Sequence, residues 1–410
     1  MSALFRWLFV AGVLVLLLGL LQKWFQERWW LTEPLTALAL GIVAGPVGLQ
    51  LLNLPPAADS PRVLTQVSRV TLAVADMGVA LRLPRGYPVD HWRSLATILG
   101  AGMVLMGLIS GLLVWSLLGV SFWMAMLVGA TVTSTDPIVA TTIVTGPVAK
   151  RNIPGRIRHF ISAESGANDG AVYPLVLLPI LLLARPTSEA LWRWVTYVIG
   201  WQVGGAVVLG AALGYAAARL FQRADMDDIV EQQGFVAYTL ALTFTVLGAA
   251  RLLTVDAILA SFVAGIAYRM APGRQQPSTE RDVQKAMTKF FVLPTFVLVG
   301  VAIPWAGWAS LGWRGLLLAV LVLVVRRPPV VLALARWLRP LQTRKDVGFT
   351  AWFGPIGIST LFYAMLAVQR TGSRRIWSIA SLLIVASLLA HGLSATPLGK
   401  RMPPDPAERR

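Results

Sequence analysis

The chain has 410 residues, of which 56% are hydrophobic and only 13% are charged, whereas about 25% of the residues of a typical soluble domain are charged. A soluble protein of this composition would expose mostly apolar surface, so the composition excludes an ordinary soluble enzyme and favours a protein with many membrane spans. The absence of cysteine excludes thiolate metal sites and cysteine nucleophiles. The net charge of +17 comes from basic loops between apolar runs, which are typical of membrane proteins rather than of nucleic-acid-binding domains.

About thirteen apolar stretches, each long enough to cross a membrane as a helix, follow one another along the chain. They cover residues 4–21, 34–52, 63–81, 93–118, 121–145, 157–184, 194–219, 234–251, 255–270, 287–303, 313–336, 347–369 and 376–397. The connections are short, so we predict one all-α transmembrane domain over residues 1–399 and a short cytoplasmic tail over 400–410. Residues 4–21 are interpreted as a retained helix, because no clear cleavage site of small residues follows them.

The loops predict the orientation of the chain. Most of the 36 Lys and Arg residues fall in loops on one side of the predicted membrane. Because basic loops stay in the cytoplasm, the N-terminus is expected outside and the C-terminus inside, in the cytoplasmic (inner) membrane of a cell.

Two predicted spans are interrupted by helix-breaking residues. The fifth contains Pro137 in "TSTDPIVATTIVTGP", and the twelfth contains Gly354, Pro355 and Gly357 in "WFGPIGIS". They lie seven spans apart, so they correspond if spans 1–6 and 8–13 are two inverted six-helix repeats. Broken helices leave backbone groups unpaired, which a membrane tolerates only around a polar cavity, and such a pair predicts a transport site near the midplane.

The sixth span carries a polar cluster in "ISAESGANDGAVYP". Glu164, Ser165, Asn168 and Asp169 are spaced at i, i+1, i+4 and i+5, which puts them on one helical face. Their hard oxygen ligands suit a small hard cation or a proton. The alternative is a polar network for helix packing or a cap near the surface, but the cluster lies well past Arg158 and too deep for a simple cap.

Other charges at membrane depth are candidates by default. Asp136 precedes Pro137 and is either the N-cap of a half-helix or a buried ligand, and both can hold together. Of the adjacent Arg326 and Arg327, the second is the stronger candidate for pairing with a buried carboxylate, and Glu164 is its natural partner.

Alternatives remain for the same positions. Both arginines could simply end a helix and snorkel to the membrane surface. Asp76 in "LAVADMGVALRLP" is a further candidate that could face the cavity, whereas Asp256 is interpreted as a helix N-cap and His391 as a packing residue.

These residues suggest competition between a proton and a cation. Burial favours the protonated form of a carboxyl group, whereas a bound cation favours the ionised form. Asp136 and Asp169 can therefore hold one or the other, and a cavity open alternately to each side would exchange them. No cofactor is implied by any motif.

The chain resembles the monovalent cation:proton antiporter-1 family, the sodium/proton antiporters of bacteria and archaea that are related to the animal sodium/proton exchangers. The resemblance rests on "TDP" with Asp136, on "ESGANDG", on "GIVAGPVGL" in the second span and on "RPPVV" from Arg327. It implies a thirteen-span fold, a homodimer in membrane lipid, and electroneutral exchange of Na⁺, or K⁺ or Li⁺, for H⁺ by alternating access in an elevator-like step.

The resemblance also implies residue roles. Thr135, Asp136, Ser165 and Asp169 look like the ligands of Na⁺, with Asp169 as the carboxylate that exchanges the proton. Asn168 resembles the family's helix-bracing asparagine, and its position before Asp169 resembles the electroneutral branch. Glu164 and Arg327 look like the family's structural ion pair.

Two departures from the family pattern leave regulation and a third acid open. Many members carry an arginine in the Gly motif of the twelfth span, where this chain has Ile356. Many carry a glutamate in the third span, and Asp76 lies near that position. The competing interpretations are a cation channel, a proton-coupled carrier of another solute and, least favoured, an intramembrane hydrolase using Ser165 with Asp169, for which no nearby histidine is available.

Overall fold

The computed structural model describes residues 31–54, 60–136, 151–226, 234–271 and 278–402, together with isolated residues outside these ranges. Within the described ranges the regular structure is helical throughout. Most of the first predicted span, most of the fifth span after Asp136 and the end of the tail after residue 402 lie outside the described residues, as does Pro137.

The described helices follow the predicted spans in chain order. We number them α1 (Glu33–Ala44), α2 (Ser60–Arg82), α3 (Trp92–Leu118), α4 (Phe122–Thr131), α5 (Gly155–Ala184), α6 (Thr187–Ala224), α7 (Gly234–Leu252), α8 (Ala257–Met270), α9 (Ser278–Val301), α10 (Trp305–Val325), α11 (Pro328–Leu334), α12 (Arg344–Trp352), α13 (Ile358–Thr371) and α14 (Arg375–Gly399). A single helical turn, Tyr87–Asp90, precedes α3.

Seven helical stretches are long and apolar enough to cross a membrane, and they confirm a protein with many spans. They are α2, α3, α5, α6, α7, α14 and the stretch Trp305–Trp337 that contains α10 and α11. Shorter apolar helices coincide with other predicted spans, namely α1, α4, α8 and residues Thr288–Val301 of α9. The total of thirteen stays a prediction, because the first predicted span falls largely outside the described residues.

Local sequence signals set several helix ends. The Asp256 side chain accepts hydrogen bonds from the backbone N–H groups of Ile258 and Leu259 at 3.0 and 3.3 Å, so the predicted N-cap of α8 is confirmed. Helix α12 begins with a capping box, in which the Thr343 hydroxyl accepts from the Asp346 N–H and the Asp346 carboxylate accepts from the Thr343 N–H.

Small residues let the helix backbones approach closely, as is usual where no hydrophobic effect drives association inside a bilayer. Helix α6 packs along α8, and a Cβ added to Gly210 or Gly214 would fall on the backbone carbonyl oxygens of Ala260 or Ala264. The same close packing joins α1 to α9, where Gly41 lies against the backbone of Val297.

Two helices break at buried segments that lie against each other. Helix α4 ends at Thr131, and an irregular segment leads through Asp136; the second irregular segment joins α12 to α13. The Asp136 N–H donates to the Pro355 carbonyl at 2.8 Å, which links the two segments directly. We call residues 132–136 and 353–357 the crossing.

We expect the close packing of α6 on α8 to be sensitive to one methyl group. Gly214→Ala places a Cβ on the Ala264 carbonyl and should lower stability by about 1–3 kcal/mol, as overpacking does. Gly248→Ala, on the lipid-facing side of α7, meets nothing within 4 Å and should be neutral or slightly stabilising. Thermal denaturation of the purified protein in detergent measures both; equal melting temperatures would contradict the packing described.

Candidate ion-binding site

Asp136 joins the two segments of the crossing through both its backbone and its side chain. Its Oδ2 accepts a hydrogen bond of 2.5 Å from the N–H of Ile358, the first residue of α13. Its Oδ1 accepts one of 3.3 Å from the N–H of Val139, in the position of an N-cap. The carboxylate therefore faces the positive end of α13, and a Cβ on Gly357 would collide with it. Asp136 is therefore both an N-cap and a member of the candidate site.

Arg326 provides the positive charge at the crossing. Its guanidinium donates to the carbonyl oxygens of Val132, Thr133 and Gly354, which lie at or just beyond the C-terminal ends of α4 and α12. The side chain is only 2% exposed, so the alternative that Arg326 snorkels to the membrane surface is wrong. A fixed cation here offsets the partial negative charge of carbonyl groups that no helix satisfies.

Arg327 turns the other way and pairs with the sixth span. Its two terminal nitrogens donate to the two carboxylate oxygens of Glu164 at 2.5 and 2.8 Å, and its Nε donates to the Thr350 carbonyl of α12 at 3.0 Å. The side chains of Glu164 and Arg327 are 1% and 2% exposed. This bidentate pair is the one that the sequence suggested. It ties α5 to the junction of α10 and α11 in a dry environment where each charge needs the other.

A second polar network joins α5 to the residue before Asp136. The Thr135 hydroxyl lies 3.1 Å from the Ser165 hydroxyl and accepts a 2.6 Å hydrogen bond from the Asn168 amide nitrogen. The Asn168 carbonyl oxygen in turn accepts from the Thr135 N–H at 3.2 Å. Asn168 thus fixes both the backbone and the side chain of Thr135, which leaves two neighbouring hydroxyl oxygens beside Asp136.

Asp169 and Asp76 are the carboxyl groups that receive no such support. Both residues are completely buried, and none of their four carboxyl oxygens accepts a well-formed hydrogen bond among the described residues, although the Ser359 hydroxyl lies close to Asp169. The two groups lie within hydrogen-bonding reach of each other, with Asp136 close enough for its charge to act on both. Two ionised carboxylates without donors repel each other strongly when buried, so the pair calls for a proton or a cation between them.

Asp76 extends from α2, which makes this helix part of the site. The sequence offered Asp76 only as a further candidate, because one aspartate in an apolar span does not reveal which neighbour it meets. The Tyr363 hydroxyl of α13 adds a contact from the other side, donating to the backbone carbonyl of Asp169 at 2.5 Å.

The last helix holds the twelfth-span break in shape. The Ser387 hydroxyl of α14 accepts from the Ile356 N–H at 2.7 Å. One turn later, His391 contacts Ser387 through Nδ1 and the Trp352 carbonyl, at 2.9 Å, through Nε2. His391 is therefore a hydrogen-bonded packing residue as expected. Ser387 and His391 are spaced at i, i+4 and so share one face of α14. This spacing is the sequence signal that could have predicted their contact with the broken helix.

Across the described part of the chain, no three aspartate, glutamate or histidine side chains converge as they would on a tightly held metal ion. The site instead combines carboxylate, hydroxyl and amide oxygens. Such hard oxygen donors suit a monovalent cation that must also leave again.

We expect the Glu164–Arg327 pair to be essential for stability. Glu164→Gln leaves the Arg327 guanidinium buried without a counter-charge and should cost about 3–5 kcal/mol. The matched change Glu33→Gln breaks the partly exposed pair with Lys289 and should cost at most about 1 kcal/mol. Thermal denaturation in detergent compares them. The double variant Glu164→Gln/Arg327→Gln should lose less than the two single losses added together, and strict additivity would contradict a coupled buried pair.

Comparison with known proteins agrees with this geometry. The family model described as "Sodium/hydrogen exchanger, transmembrane" matches residues 8–401. The chain is 30% identical to a Na(+)/H(+) antiporter of Saccharomyces cerevisiae over 93% of its own length and 42% of that protein. It is 28% identical to a Na(+)/H(+) antiporter of Schizosaccharomyces pombe, covering 94% of this chain and 88% of that protein. It is 24% identical to the K(+)/H(+) antiporter NhaP2 of Shewanella sp. strain ANA-3, covering 97% and 68%.

Several of these curated relatives are longer proteins, and the chain spans about half the length of those from Saccharomyces cerevisiae and Zygosaccharomyces rouxii. Among solved structures, the sodium proton antiporter MjNhaP1 from Methanocaldococcus jannaschii superposes with a TM-score of 0.72 at 18% identity, covering 98% of this chain and 99% of that one. This likeness establishes the fold. With the match of the family model over nearly the whole chain, it confirms the resemblance drawn from the motifs: the chain is a multi-pass membrane protein of the sodium/hydrogen exchanger family.

Proposed function

We propose that this protein is a secondary transporter that exchanges a monovalent cation for H⁺ by alternating access. Na⁺ is the expected cation, with Li⁺ and K⁺ as alternatives. The observation that carries the proposal is the pair of buried carboxyl groups, Asp76 and Asp169, which face each other beside the crossing without hydrogen-bond donors. Family membership supports the reaction class and makes a transporter, rather than an enzyme, the expected function.

The proposed cation site consists of Asp136, Asp169, Thr135 and Ser165, with Asp76 as a further ligand. The backbone N–H groups of Val139 and Ile358 hold the Asp136 carboxylate in place beside the proposed cation. The Thr135 and Ser165 hydroxyls supply neutral oxygens on the same side. Asp169 carries no hydrogen bond that would hold it ionised in the absence of the cation, which suits it for the proton-exchanging role.

The charge inventory of the site supports electroneutral exchange. Asn168 is neutral, and the charge of Glu164 is compensated by Arg327. If Asp136 stays ionised against the N-terminus of α13, then one proton shared by Asp169 and Asp76 is displaced by one monovalent cation. Exchange of one for one moves no net charge across the membrane.

Location and assembly remain part of the proposal. We infer that the protein resides in the cytoplasmic membrane with its N-terminus outside and its C-terminus in the cytoplasm, because the basic loops favour that orientation. A homodimer embedded in membrane lipid is the expected assembly. Closure of alternate sides would come from movement of the helices that carry the crossing relative to the rest of the bundle.

The alternatives predict different measurements. A cation channel would pass currents far above the turnover of a carrier. A proton-coupled carrier of another solute would leave alkali-cation gradients untouched. Both would use the same carboxyl groups as a proton relay, so ion-flux measurements rather than residue identities separate them.

We expect Asp169→Asn to abolish exchange while the protein still folds, because an amide cannot take up and release the proton. Everted vesicles with an imposed acid interior should lose their pH gradient on addition of Na⁺ or Li⁺ when they contain the wild-type protein, and should keep it when they contain the variant. Asp76→Asn should slow exchange strongly, since it removes half of the carboxyl pair.

The matched control is Asp90→Asn, an exposed aspartate on the single turn before α3. It should exchange at the wild-type rate. Exchange retained by Asp169→Asn at equal membrane abundance would remove this residue from the mechanism, and a wild type that responds to no alkali cation would overturn the proposed function itself.

A further inference from the structure

Ser359 lies where three elements of the site meet. It is the second residue of α13, directly after the crossing, and is 1% exposed. Its Oγ accepts a 2.7 Å hydrogen bond from the Ser134 hydroxyl on the first segment of the crossing. Its hydroxyl also lies close to the Asp169 carboxyl group on α5, without a well-formed hydrogen bond to it.

The bonding capacity of this hydroxyl is only partly used. A serine hydroxyl has one hydrogen to donate and two lone pairs to accept with. The Ser134 hydroxyl occupies one lone pair. The hydrogen can turn toward the nearby Asp169 carboxylate when that group is ionised, and one lone pair then stays available for a cation.

Electrostatics normally disfavours a cation at this position, since the first turn of a helix carries partial positive charge. Here the Asp136 carboxylate accepts from the Ile358 N–H and offsets that charge one residue before Ser359. The beginning of α13 can therefore offer an oxygen to a cation without repelling it.

We propose that Ser359 is an additional ligand of the transported cation, contributed by the second broken helix. This inference rests on the proposed function. It places cation contacts on both sides of the crossing, with Thr135 and Asp136 on the first segment and Ser359 just after the second. A movement that separates or tilts the two broken helices would then change the coordination of the cation directly.

An added oxygen ligand should matter most for the smaller alkali cations. Li⁺ and Na⁺ hold water more strongly than K⁺ does, so they depend more on each protein oxygen that replaces a water molecule. Loss of the Ser359 hydroxyl should therefore weaken Li⁺ and Na⁺ binding more than K⁺ binding, and shift selectivity toward the larger ion.

The test is exchange by Ser359→Ala in everted vesicles, measured over a range of Li⁺, Na⁺ and K⁺ concentrations. We expect KM for Na⁺ and Li⁺ to rise about threefold or more, with the maximal rate within about twofold of wild type, a loss equivalent to about 0.7 kcal/mol or more of binding free energy. Ser359→Gly removes the same hydroxyl without adding volume and provides a second variant if Ser359→Ala fails to accumulate in membranes.

Two controls separate a ligand from a brace. Ser110→Ala removes a buried hydroxyl that donates only to the Met106 carbonyl of its own helix, and its KM should be unchanged. Ser134→Ala removes the hydrogen bond to Ser359 but keeps the Ser359 oxygen, and should raise KM less than Ser359→Ala does.

Each outcome decides the inference. A selective rise in KM for Li⁺ and Na⁺ supports it. An unchanged KM in Ser359→Ala, an equal rise for all three cations, or the full effect reproduced by Ser134→Ala would overturn it, because Ser359 would then only hold the crossing together. These results require a wild type that exchanges cations, so failure of the proposed function is recognised separately by the absence of wild-type activity.

Discussion

The structure depends on how two broken helices are kept stable inside a membrane. Each break frees backbone N–H and C=O groups that hydrocarbon cannot satisfy. One charge of each sign satisfies these groups. The Asp136 carboxylate accepts a hydrogen bond from the freed Ile358 N–H, and the Arg326 guanidinium donates to freed carbonyl oxygens of both segments. Because these charges are required by the backbone itself, the fold creates a polar centre at membrane depth before any transported ion is considered.

The candidate site uses that polar centre by adding groups that the backbone does not need. Asn168 fixes Thr135, and the Glu164–Arg327 pair joins α5 to the start of α11, so the charges around the site are held in place and compensated. Asp169 and Asp76 stand apart, buried and without donors. Structural charges and exchangeable charges are thus separated within one fold: the former have fixed hydrogen-bond partners, and the latter have none.

Patterns of local spacing predicted much of this arrangement. The polar face from Glu164 to Asp169 follows from helical periodicity within six residues, and the two Gly/Pro motifs predict the two helix breaks. The pairing of Arg327 with Glu164 could also be predicted, because a deeply buried guanidinium needs a carboxylate partner and few carboxylates lie in the predicted spans. The Asp256 cap followed from its place before an apolar helix.

Contacts set by chain topology could not be predicted in the same way. Arg326 and Arg327 are neighbours in sequence, yet one contacts the crossing and the other contacts Glu164, and the sequence does not show which elements surround each side chain. The hydrogen bond from the Ile358 N–H to Asp136 joins residues more than two hundred positions apart. Asp76 and Ser359 carry no local signal of their partners, since an isolated aspartate or serine in an apolar span is compatible with many environments.

The central claim is that a cation and a proton compete for the same buried carboxyl groups. The most direct measurement is proton release when Na⁺ is added to the purified protein in weakly buffered detergent solution, followed with a pH indicator and compared with addition of choline chloride. The account predicts release of about one proton for each Na⁺ bound, and none with choline. Binding of Na⁺ without release of protons, detected as thermal stabilisation at unchanged pH, would contradict it.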